Sequence, residues 1–476
     1  MTYSMMTKKQ LREKLKNDPN YFVEAVLGDS LWEKQREILE AVRDNRTTVV
    51  RSCHGAGKSY IAARTALWFL YTNKDSIVAT TAPTFRQVQE ILWREINSAL
   101  ANSKIALEGD ISRTSINIAP KHFAIGLSTD EPNKFQGLHS KRVLFIGDEA
   151  AGIPEEIFEA ANGILTGQDD RMLLIGNPTS LAGTFYDAFH QPSTYKIHID
   201  YKDTPNIKAQ KTIIPGLLTQ EWVDAMVEEW GIDNPVFQSR VLGQFPEQGS
   251  DTLIPLLEIE KAVTRELETG NETFIGVDVA RYGTDKTVFV IRKGENIEKI
   301  EKYSLEDTMQ TSGRVKALLM LYNNAIARVD EVGVGAGVVD SLKEQGVKVQ
   351  GINVGESAVD SEHFVNKRAE NYWNLRTRFL EGRIAIPDDS ELISQLANLK
   401  YKYTSKGQIQ IESKEDMKKR GMKSPDVADA LMLAFSDRDK KFEGLLAYQK
   451  QETEDGTTRQ PTESLIAKVL REGTRL

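Results

Sequence analysis

The chain has a single cysteine, Cys53, among 476 residues, and it has no long hydrophobic run. One thiol excludes a disulfide framework and any zinc site that needs several thiolates. No apolar run approaches the roughly 20 residues that span a bilayer. The first 20 residues form a charged amphipathic stretch and do not have the pattern of a signal peptide. We therefore expect a soluble, cytoplasmic protein without a membrane partner.

A strong excess of either charge is also missing, since 61 Lys and Arg stand against 69 Asp and Glu, a net charge of −8. This balance argues against a protein coated with nucleic acid over its whole surface, but it is compatible with a local basic groove. At about 100–200 residues per domain, the length predicts two or three domains.

Two stretches of the chain alternate short β-rich apolar runs with longer helical patterns, which predicts parallel α/β architecture in both. The first stretch extends from about Leu31 to Phe245, and the second begins near Thr273. In the first, strands are expected at Thr47–Arg51, Ser76–Thr80, His122–Leu127, Val143–Ile146 and Arg171–Gly176. We place domain boundaries at 1–245 with a helical lead-in, 246–271 as a linker, 272–440, and 441–476 as a polar tail, for which a packed terminal helix is the alternative.

A phosphate-binding loop is indicated where the first strand runs into a helix, at Arg51-Ser-Cys-His-Gly-Ala-Gly-Lys-Ser59. Backbone N–H groups and a helix N-terminus converge on an anion in such a loop. Lys58 would reach the β- and γ-phosphates of a nucleotide, and the Ser59 hydroxyl would ligate Mg²⁺. Gly55 and Gly57 would keep the loop flexible.

Two carboxylates at the end of the apolar strand Val143-Leu-Phe-Ile-Gly-Asp-Glu149 supply the second half of an ATPase site. Asp148 would hold the Mg²⁺, and Glu149 would polarise the attacking water. Alone, the glycine-rich loop could be a turn and the Asp-Glu pair a helix cap. In this order and context, the two predict nucleotide binding and hydrolysis.

Weaker signals surround this predicted site. Trp32 and Gln35 precede the first strand, where helicase-like ATPases carry an adenine-contacting glutamine, although Trp32 could instead be a core residue. Asn177 and Thr179 follow the strand after Asp148 and could sense the γ-phosphate and pass its loss to another element. A simple Asn-Pro turn is the alternative for them. Arg51 is a candidate for acting on the nucleotide within its own subunit.

Acidic residues recur in the second stretch. Asp278 is predicted in the middle of the apolar strand Phe274–Val279, before a hairpin turn, where a charge is costly unless it is paired or binds a metal. Asp330 ends a second apolar run, and Asp426 and Asp429 lie at i and i+3 on one face of a predicted helix. Each acid alone could be a cap or a surface charge. Together they are typical of a two-metal nuclease of the RNase H-like fold, whose metals activate water and stabilise the leaving 3′ oxygen.

Basic residues are concentrated just before Asp426, which would neutralise DNA phosphates locally despite the negative net charge. A solvated surface is the alternative. The predicted DNA-binding residues lie in and after an expected β-hairpin and are Lys400, Lys402, Lys406, Lys418, Lys419 and Arg420, with Lys414 and Lys423 in the same stretch. Arg368, Arg376 and Arg378 are expected to add a second basic face.

These motifs resemble the large terminase subunit of tailed bacteriophages. The resemblance covers about Leu31 to Ser436 and implies an N-terminal P-loop ATPase of the RecA/helicase-like, ASCE type with a parallel sheet, followed by an RNase H-like (RuvC-like) nuclease domain. Its strongest marks are His54-Gly-Ala-Gly-Lys-Ser59, Phe145-Ile-Gly-Asp-Glu149, Gly276-Val-Asp-Val-Ala280 and Ser424-Pro-Asp-Val-Ala-Asp-Ala430.

The resemblance implies a viral DNA-packaging motor that works in the host cytoplasm, docked transiently on the prohead. A ring of copies, expected to be a pentamer, would sit on the portal protein and translocate double-stranded DNA with ATP. The nuclease would cut concatemeric DNA, with a small terminase subunit supplying site recognition. The implied cofactors are ATP with Mg²⁺ in the ATPase, and two Mg²⁺ or Mn²⁺ ions in the nuclease.

Residue by residue, the resemblance assigns the ATPase roles to Lys58, Ser59, Asp148 and Glu149, and metal binding to Asp278, Asp330 and Asp426 or Asp429, with Asp285 as an auxiliary ligand. Ser52 departs from the pattern because it replaces the first glycine of the loop. A ring of this kind also needs an arginine that acts on the neighbour's ATP. Arg86 and Arg142 are candidates.

Two other functions compete with the motor. A cellular DNA-repair helicase with a fused nuclease would need a second RecA-like domain, and the short connector leaves no room for one. A nucleotide-gated assembly protein could use an inactive nuclease-like domain for docking, but the retained acids Asp278, Asp330, Asp426 and Asp429 argue against such decay.

Overall fold

The computed structural model describes residues 6–130, 132–249, 251–280, 286–304 and 307–436. Asp285 and the predicted tail at 441–476 lie outside these ranges. Within them, no helix combines the length and the apolar character needed to cross a membrane.

The N-terminal part of the chain builds an eight-stranded sheet. Its strands are β1 (Thr47–Ser52), β2 (Ser76–Thr81), β3 (Asp110–Ile111), β4 (Ser115–Ala119), β5 (His122–Gly126), β6 (Arg142–Asp148), β7 (Arg171–Gly176) and β8 (Tyr195–Ile199), in the order β3-β4-β5-β2-β6-β7-β1-β8. From β5 to β8 all neighbours are parallel, whereas β3 and β4 form an antiparallel edge. The five strands predicted from the sequence are confirmed as the central strands β1, β2, β5, β6 and β7.

The strand order determines where the functional loops meet. β7 lies between β1, which carries the phosphate-binding loop, and β6, which carries the two carboxylates. Because the carboxyl ends of parallel strands share one edge of a sheet, the loops after β1, β6 and β7 converge there. This arrangement is that of an ASCE-type P-loop ATPase, as predicted.

Helices pack around this sheet, and the last three helices of the N-terminal part pack against helices of the C-terminal part. The helices described for the N-terminal part are α1 (Lys8–Asn17), α2 (Pro19–Phe22), α3 (Glu33–Asp44), α4 (Lys58–Thr72), α5 (Phe85–Gln87), α6 (Trp93–Ala101), α7 (Glu155–Ile164), α8 (Thr184–His190), α9 (Pro205–Lys208), α10 (Gln220–Trp230), α11 (Pro235–Arg240) and α12 (Leu256–Thr264). A single π turn, Val88–Leu92, joins α5 to α6, so the helix predicted at Phe85–Leu100 is continuous. Helix α4 is buried on almost every face, as expected from its apolar sequence.

The C-terminal part builds a second sheet with the mixed topology of the RNase H-like fold. Its strands are β9 (Thr273–Asp278), β10 (Lys286–Lys293), β11 (Asn296–Ser304), β12 (Ile326–Asp330) and β13 (Val349–Ile352), in the order β11-β10-β9-β12-β13. The first three strands are antiparallel, and β12 and β13 run parallel to β9. A separate hairpin pairs β14 (Tyr401–Tyr403) with β15 (Ile409–Ile411), as predicted.

The position of Asp278 within its strand was predicted wrongly. It is the last residue of β9, and it pairs with Val288 at the end of the β9–β10 ladder. The apolar residues Val279 and Ala280 extend the sequence pattern beyond the point where the backbone leaves the sheet. Asp278 therefore lies at the sheet edge.

Within the described residues of this part there are six helices: α13 (Thr308–Leu321), α14 (Val334–Glu344), α15 (Lys367–Leu380), α16 (Ser390–Asn398), α17 (Lys414–Lys419) and α18 (Asp426–Ala434). Helix α18, predicted from Val427, starts one residue earlier and lies directly on β9. A Cβ at Gly276 would be 2.0 Å from the Ala430 carbonyl oxygen, so only glycine allows this approach. Gly276 thus sets the distance between the sheet and the helix that carries Asp426 and Asp429.

One apolar cluster is continuous between the two sheets. It contains Val50 and Ile175 of the first sheet and Val288 and Val290 of the second. Segment 246–271, predicted as a linker, belongs to it, because Leu253, Ile254, Leu256, Ile259 and Ala262 are all fully buried. The two parts of the chain therefore share a core.

Candidate ATPase and nuclease sites

The loop between β1 and α4 places Lys58 and Ser59 at the helix N-terminus, facing the end of β6. The Ser59 hydroxyl donates to Asp148 Oδ2 at 2.7 Å. The Lys58 ammonium is 3.4 Å from Glu149 Oε1 and donates to Asn177 Oδ1 at 3.0 Å. The predicted phosphate, magnesium and water-activating residues are thus brought together by two separate segments, and a third supplies Asn177.

Glu149 has a strained backbone, with φ of 47° in the left-handed region. Such a conformation costs a non-glycine residue roughly 1–3 kcal/mol, and it is found most often at functional sites. A Cβ at Gly176 would be 2.8 Å from the Ala150 nitrogen, so glycine lets β7 end close against this turn. From this backbone position the Glu149 carboxylate reaches the P-loop, where it contacts Lys58.

Asn177 connects the parts of this site. Its side-chain amide donates to the Ser52 carbonyl at 2.6 Å, and its backbone N–H donates to Glu149 Oε2 at 3.2 Å. With its contact to Lys58, Asn177 touches the loop, the lysine and the glutamate. This geometry suits the predicted coupling role. Thr179 is buried two residues further on.

Burial, with the charge of Glu149, raises the pKa of Asp148 to about 6. A carboxyl that is costly to ionise alone is stabilised when a cation binds beside it. Asp148 and Ser59 therefore fit a magnesium ion, and Lys58 at the start of α4 fits the phosphates of the nucleotide that carries it.

The remaining predicted nucleotide residues are distributed around the loop. Gln35 is buried, and its amide donates to the Gly57 carbonyl at 3.4 Å, next to Gly55 and the lysine. Trp32 is buried at the start of α3, and its indole N–H has no hydrogen-bond partner among the described residues. The Arg51 guanidinium lies 4.7 Å from the ring of Phe189, so it is directed toward α8.

The two candidates for an arginine acting on a neighbouring subunit are both paired with acids of the same chain. Arg142 begins β6, at the opposite sheet edge from the P-loop, and is 3.1 Å from Asp169. Arg86 is exposed and is 3.5 Å from Glu266. Neither position identifies the trans-acting residue.

Sequence reasoning missed Arg240, which links the P-loop to the second part of the chain. Its backbone carbonyl accepts the His54 N–H at 2.7 Å. Its buried guanidinium forms a bidentate ion pair with Glu260 of α12, with distances of 3.0 and 2.9 Å. A third contact, 3.6 Å, reaches Asp388 before α16. Burial and the cations Lys58 and Arg240 lower the pKa of His54 well below its usual value.

The second site is formed by the acids predicted for the nuclease. Asp278, Asp426 and Asp429 approach one another at the sheet edge, and Asp330 is close enough to raise the pKa of Asp278. Burial is the main cause of that increase, and the three neighbouring carboxylates add to it. Asp330 accepts the Val332 N–H at 3.0 Å, and burial raises its pKa as well.

Lys414, at the start of α17, lies among these acids. Its ammonium is 2.8 Å from Asp429, 3.8 Å from Asp278 and 3.8 Å from Asp426. No group of three or more Asp, Glu, His or Cys side chains in the described ranges is arranged to hold a metal ion as it stands. Buried acids around a cationic group nevertheless fit divalent metals, because an ammonium already supplies there the positive charge that the carboxylates require.

Asp429 has further side-chain contacts besides the one with Lys414. Tyr372 donates to it at 2.6 Å, and Arg368 is 3.4 Å away. Although burial acts in the opposite direction, Lys414 and Arg368 lower the pKa of Asp429. Lys414, Arg368 and Tyr372 were not predicted for this site. The i, i+4 spacing of Arg368 and Tyr372 was the available signal, but nothing in it indicates which acid they face.

The predicted basic surfaces need correction. Arg368 faces the acids, Arg378 is buried against Glu295, and Arg376 is half-buried 4.5 Å from the ring of Trp373, so the expected second basic face is not a surface. Lys414, predicted in the other basic stretch, also faces the acids. Three of the predicted DNA-binding residues are paired with acids, namely Lys400 with Asp251, Lys419 with Asp416 and Arg420 with Glu412. Lys402 and Lys406 lie on the β14–β15 hairpin and its turn, and Lys418 is exposed on α17.

Comparison with known proteins identifies relatives over most of the chain. It is 27% identical over 443 residues to a probable terminase large subunit of Enterobacteria phage P7, covering 87% of this chain and 89% of that protein. It is 25% identical to the terminase large subunit of Thermus virus P23-45, covering 86% and 88%. No family model matches the chain.

Solved structures similar to the chain include a large terminase from a thermophilic bacteriophage, with a TM-score of 0.43 and 13% identity over 85% of this chain and 98% of that one. Another is the nuclease domain of the large terminase subunit of bacterial virus Sf6, with a TM-score of 0.36 and 21% identity, covering 40% of this chain and 100% of that one.

Proposed function

We propose that this chain, a homologue of phage large terminase subunits over most of its length, is an ATP-driven DNA-packaging motor that also cuts DNA. The observation that carries the proposal is that one molecule brings together two sets of side chains, one around Lys58 and one around Asp278. As a packaging motor, it would act in the host cytoplasm as a ring, expected to be a pentamer, on the prohead portal, with a small terminase subunit for site recognition.

In the motor site, the residues have separate tasks. Lys58 would bind the β- and γ-phosphates, Ser59 and Asp148 would hold the Mg²⁺ that accompanies ATP, and Glu149 would orient and polarise the attacking water. Asn177 touches both Lys58 and Glu149, so a change at the γ-phosphate position alters its contacts. Asn177 would thereby pass the loss of phosphate to β7 and the segment after it.

In the nuclease site, Asp278, Asp330, Asp426 and Asp429 would hold two Mg²⁺ or Mn²⁺ ions. Bound there, such ions supply an activated water and stabilise the leaving 3′ oxygen. Tyr372 and Arg368 fix the Asp429 carboxylate, so its orientation does not depend on the metal. Lys414 must give up part of its contact with the acids when the cations enter, since like charges repel.

The decisive experiment compares digestion of supercoiled plasmid in Mn²⁺ by the wild type, Asp278→Ala and Lys58→Ala. We expect Asp278→Ala to lose cleavage with ATP hydrolysis intact, and Lys58→Ala to show the reverse. Asp340→Ala, an exposed acid on α14, is the matched control. Undiminished cutting by Asp278→Ala would move the nuclease site elsewhere, and cleavage absent from the wild type would favour a docking role for this domain.

A separate variant tests the motor chemistry. Glu149→Gln should bind ATP with wild-type affinity but hydrolyse it at least about 100-fold more slowly, because the phosphate contacts survive while water activation is lost. Glu159→Gln on the exposed face of α7 provides the control. Wild-type turnover by Glu149→Gln would remove Glu149 from its role.

A further inference from the structure

A groove of about 1070 Å³ lies between the ATPase part and the nuclease part of the chain. One wall is formed by residues 227–234, the last turn of α10 and the loop after it. The other wall is formed by α16 and by the segment from Met417 to Ser424, and the groove reaches Asp426 of the nuclease acids. A helix of the ATPase part therefore borders the approach to the nuclease site.

The two walls carry opposite charges that are not paired. Glu228 and Asp233 are exposed on the ATPase wall, and Lys418 and Lys423 are exposed on the nuclease wall. Across the ranges that the structure describes, none of these four side chains has an ion-pair partner within 4 Å. Other charges along the groove do have partners, since Lys302 is 2.9 Å from Glu391.

Opposite charges on the two walls that form no ion pair with each other distinguish this groove from an ordinary interface. At one place the two walls meet directly: Ser390 donates to Glu229 at 2.6 Å, and the buried Asn234 amide donates to Ser394 at 2.7 Å. These contacts fix the separation of the walls. The lysine wall is consequently available to an anion, while the acidic wall repels it.

We infer that this groove receives the DNA strand to be cut, with phosphates on Lys418 and Lys423, and that Glu228 and Asp233 confine the strand to the nuclease wall beside Asp426. The inference rests on the proposed nuclease function and adds a role for the ATPase part in positioning the strand. Repulsion from the acidic wall keeps phosphates from binding across the groove, where they would lie away from the acids. The acidic wall thus lowers the affinity for DNA but restricts the phosphates to the nuclease wall.

The test measures binding of a labelled DNA duplex to the full-length chain in Ca²⁺, over a range of NaCl concentrations. Glu228→Gln with Asp233→Asn should bind about threefold more tightly at low salt, because two repulsive charges are removed. Lys418→Gln with Lys423→Gln should bind more weakly, and its salt slope should decrease by roughly 1.4–1.8, the value for two lost phosphate contacts.

The matched control is Glu221→Gln with Asp224→Asn, which makes the same charge change on exposed positions of α10 outside the groove. It should bind like the wild type. If Glu228→Gln with Asp233→Asn behaves like this control while the wild type cuts plasmid, the groove inference is wrong and the proposed function stands. If the wild type neither binds nor cuts DNA, the proposed function fails, and the inference fails with it.

A fluorescent label gives a second measurement that does not depend on the charge variants. The native Cys53 is buried, and burial raises its pKa to about 12, so it reacts poorly with maleimides. An environment-sensitive dye on Asp233→Cys would then report on the groove alone. Saturating DNA should change its emission, and an unchanged signal with DNA bound would overturn the inference.

Discussion

Single carboxylates in this molecule differ in their ease of ionisation because their surroundings differ. Asp148 has its pKa raised to about 6 by burial and by the charge of Glu149, whereas cationic neighbours lower the pKa of Asp429. Asp429 is thus ready to bind a cation at neutral pH without a proton to lose. Asp148 is still partly protonated near pH 6, so Mg²⁺ must displace a proton from it there.

We expect binding of magnesium nucleotide to weaken below about pH 6. The folded-state pKa of Asp148 lies above its ordinary value of 3.8, so protonation stabilises the fold; that contribution is complete below about pH 4 and is lost as pH rises through about 6. Calorimetry at pH 6 in two buffers of different ionisation enthalpy should show proton release on binding. Asp148→Asn should lack this part of the release, and equal release by both proteins would contradict the assignment.

Lys414 should be a competitor of the divalent ions. Replacing it with Met leaves three acids without their common counter-ion, and we expect the melting temperature in EDTA to fall by a few degrees, a modest loss because the side chain is partly exposed. Ca²⁺ should then restore more stability than it adds to the wild type, which a thermal-shift titration measures. Lys419→Met, paired with Asp416 on the surface, is the control, and an equal Ca²⁺ response in Lys414→Met and wild type would exclude competition.

Among the elements, α12 has the most unexpected position. It extends from Leu256 to Thr264 within a segment predicted to be a linker, yet its inner face is buried and Glu260 holds Arg240. The Arg240 carbonyl in turn anchors the His54 N–H of the P-loop. The connecting element is therefore part of the support of the nucleotide site.

Removal of the arginine should weaken both stability and nucleotide binding. Arg240→Met leaves Glu260 without a partner, which we expect to cost about 2–4 kcal/mol of unfolding free energy in urea and to raise the dissociation constant of ATP severalfold. Adding Glu260→Gln should recover part of the stability, since the uncompensated charge is removed. The control is Arg36→Met, whose pair with Glu24 is exposed; it should change neither the stability nor the dissociation constant. If Arg240→Met also changes neither, α12 is only a spacer.

Residues that follow the carboxyl ends of parallel strands could be predicted to lie close together, because such strands end at one edge of the sheet. For this reason Lys58, Asp148 and Glu149 were located from the sequence. Lys414 and Arg368 were recognised as basic but assigned to a surface, since periodicity does not indicate which way a side chain on a six-residue helix such as α17 points. For Tyr372 the only signal was its i, i+4 spacing from Arg368, which does not indicate the acid that the two residues contact. These contacts depend on how α15 and α17 pack against α18, which is decided by the complete core.

At the scale of the whole molecule, the shared core makes the two sheets one cooperative unit. The buried side-chain amide of Asn234, in the ATPase part, donates to Ser394 in the nuclease part. Calorimetry should therefore show one unfolding transition. Asn234→Ala should lower its temperature without splitting it, at a cost of about 1–3 kcal/mol for the unsatisfied Ser394 partner. Two separate transitions in the wild type would mean that the core is not shared energetically.

Position 276 has a consequence for how this sequence can vary. Because the Ala430 carbonyl occupies the space of a Cβ there, any side chain must push α18 away from β9, and with it Asp426 and Asp429. In a library of random substitutions, position 276 should tolerate no other residue when DNA cutting is selected. The neighbouring β9 positions, which have ordinary side-chain space, should exchange among apolar residues. Glycine would then be invariant at position 276 in an alignment of the surviving sequences.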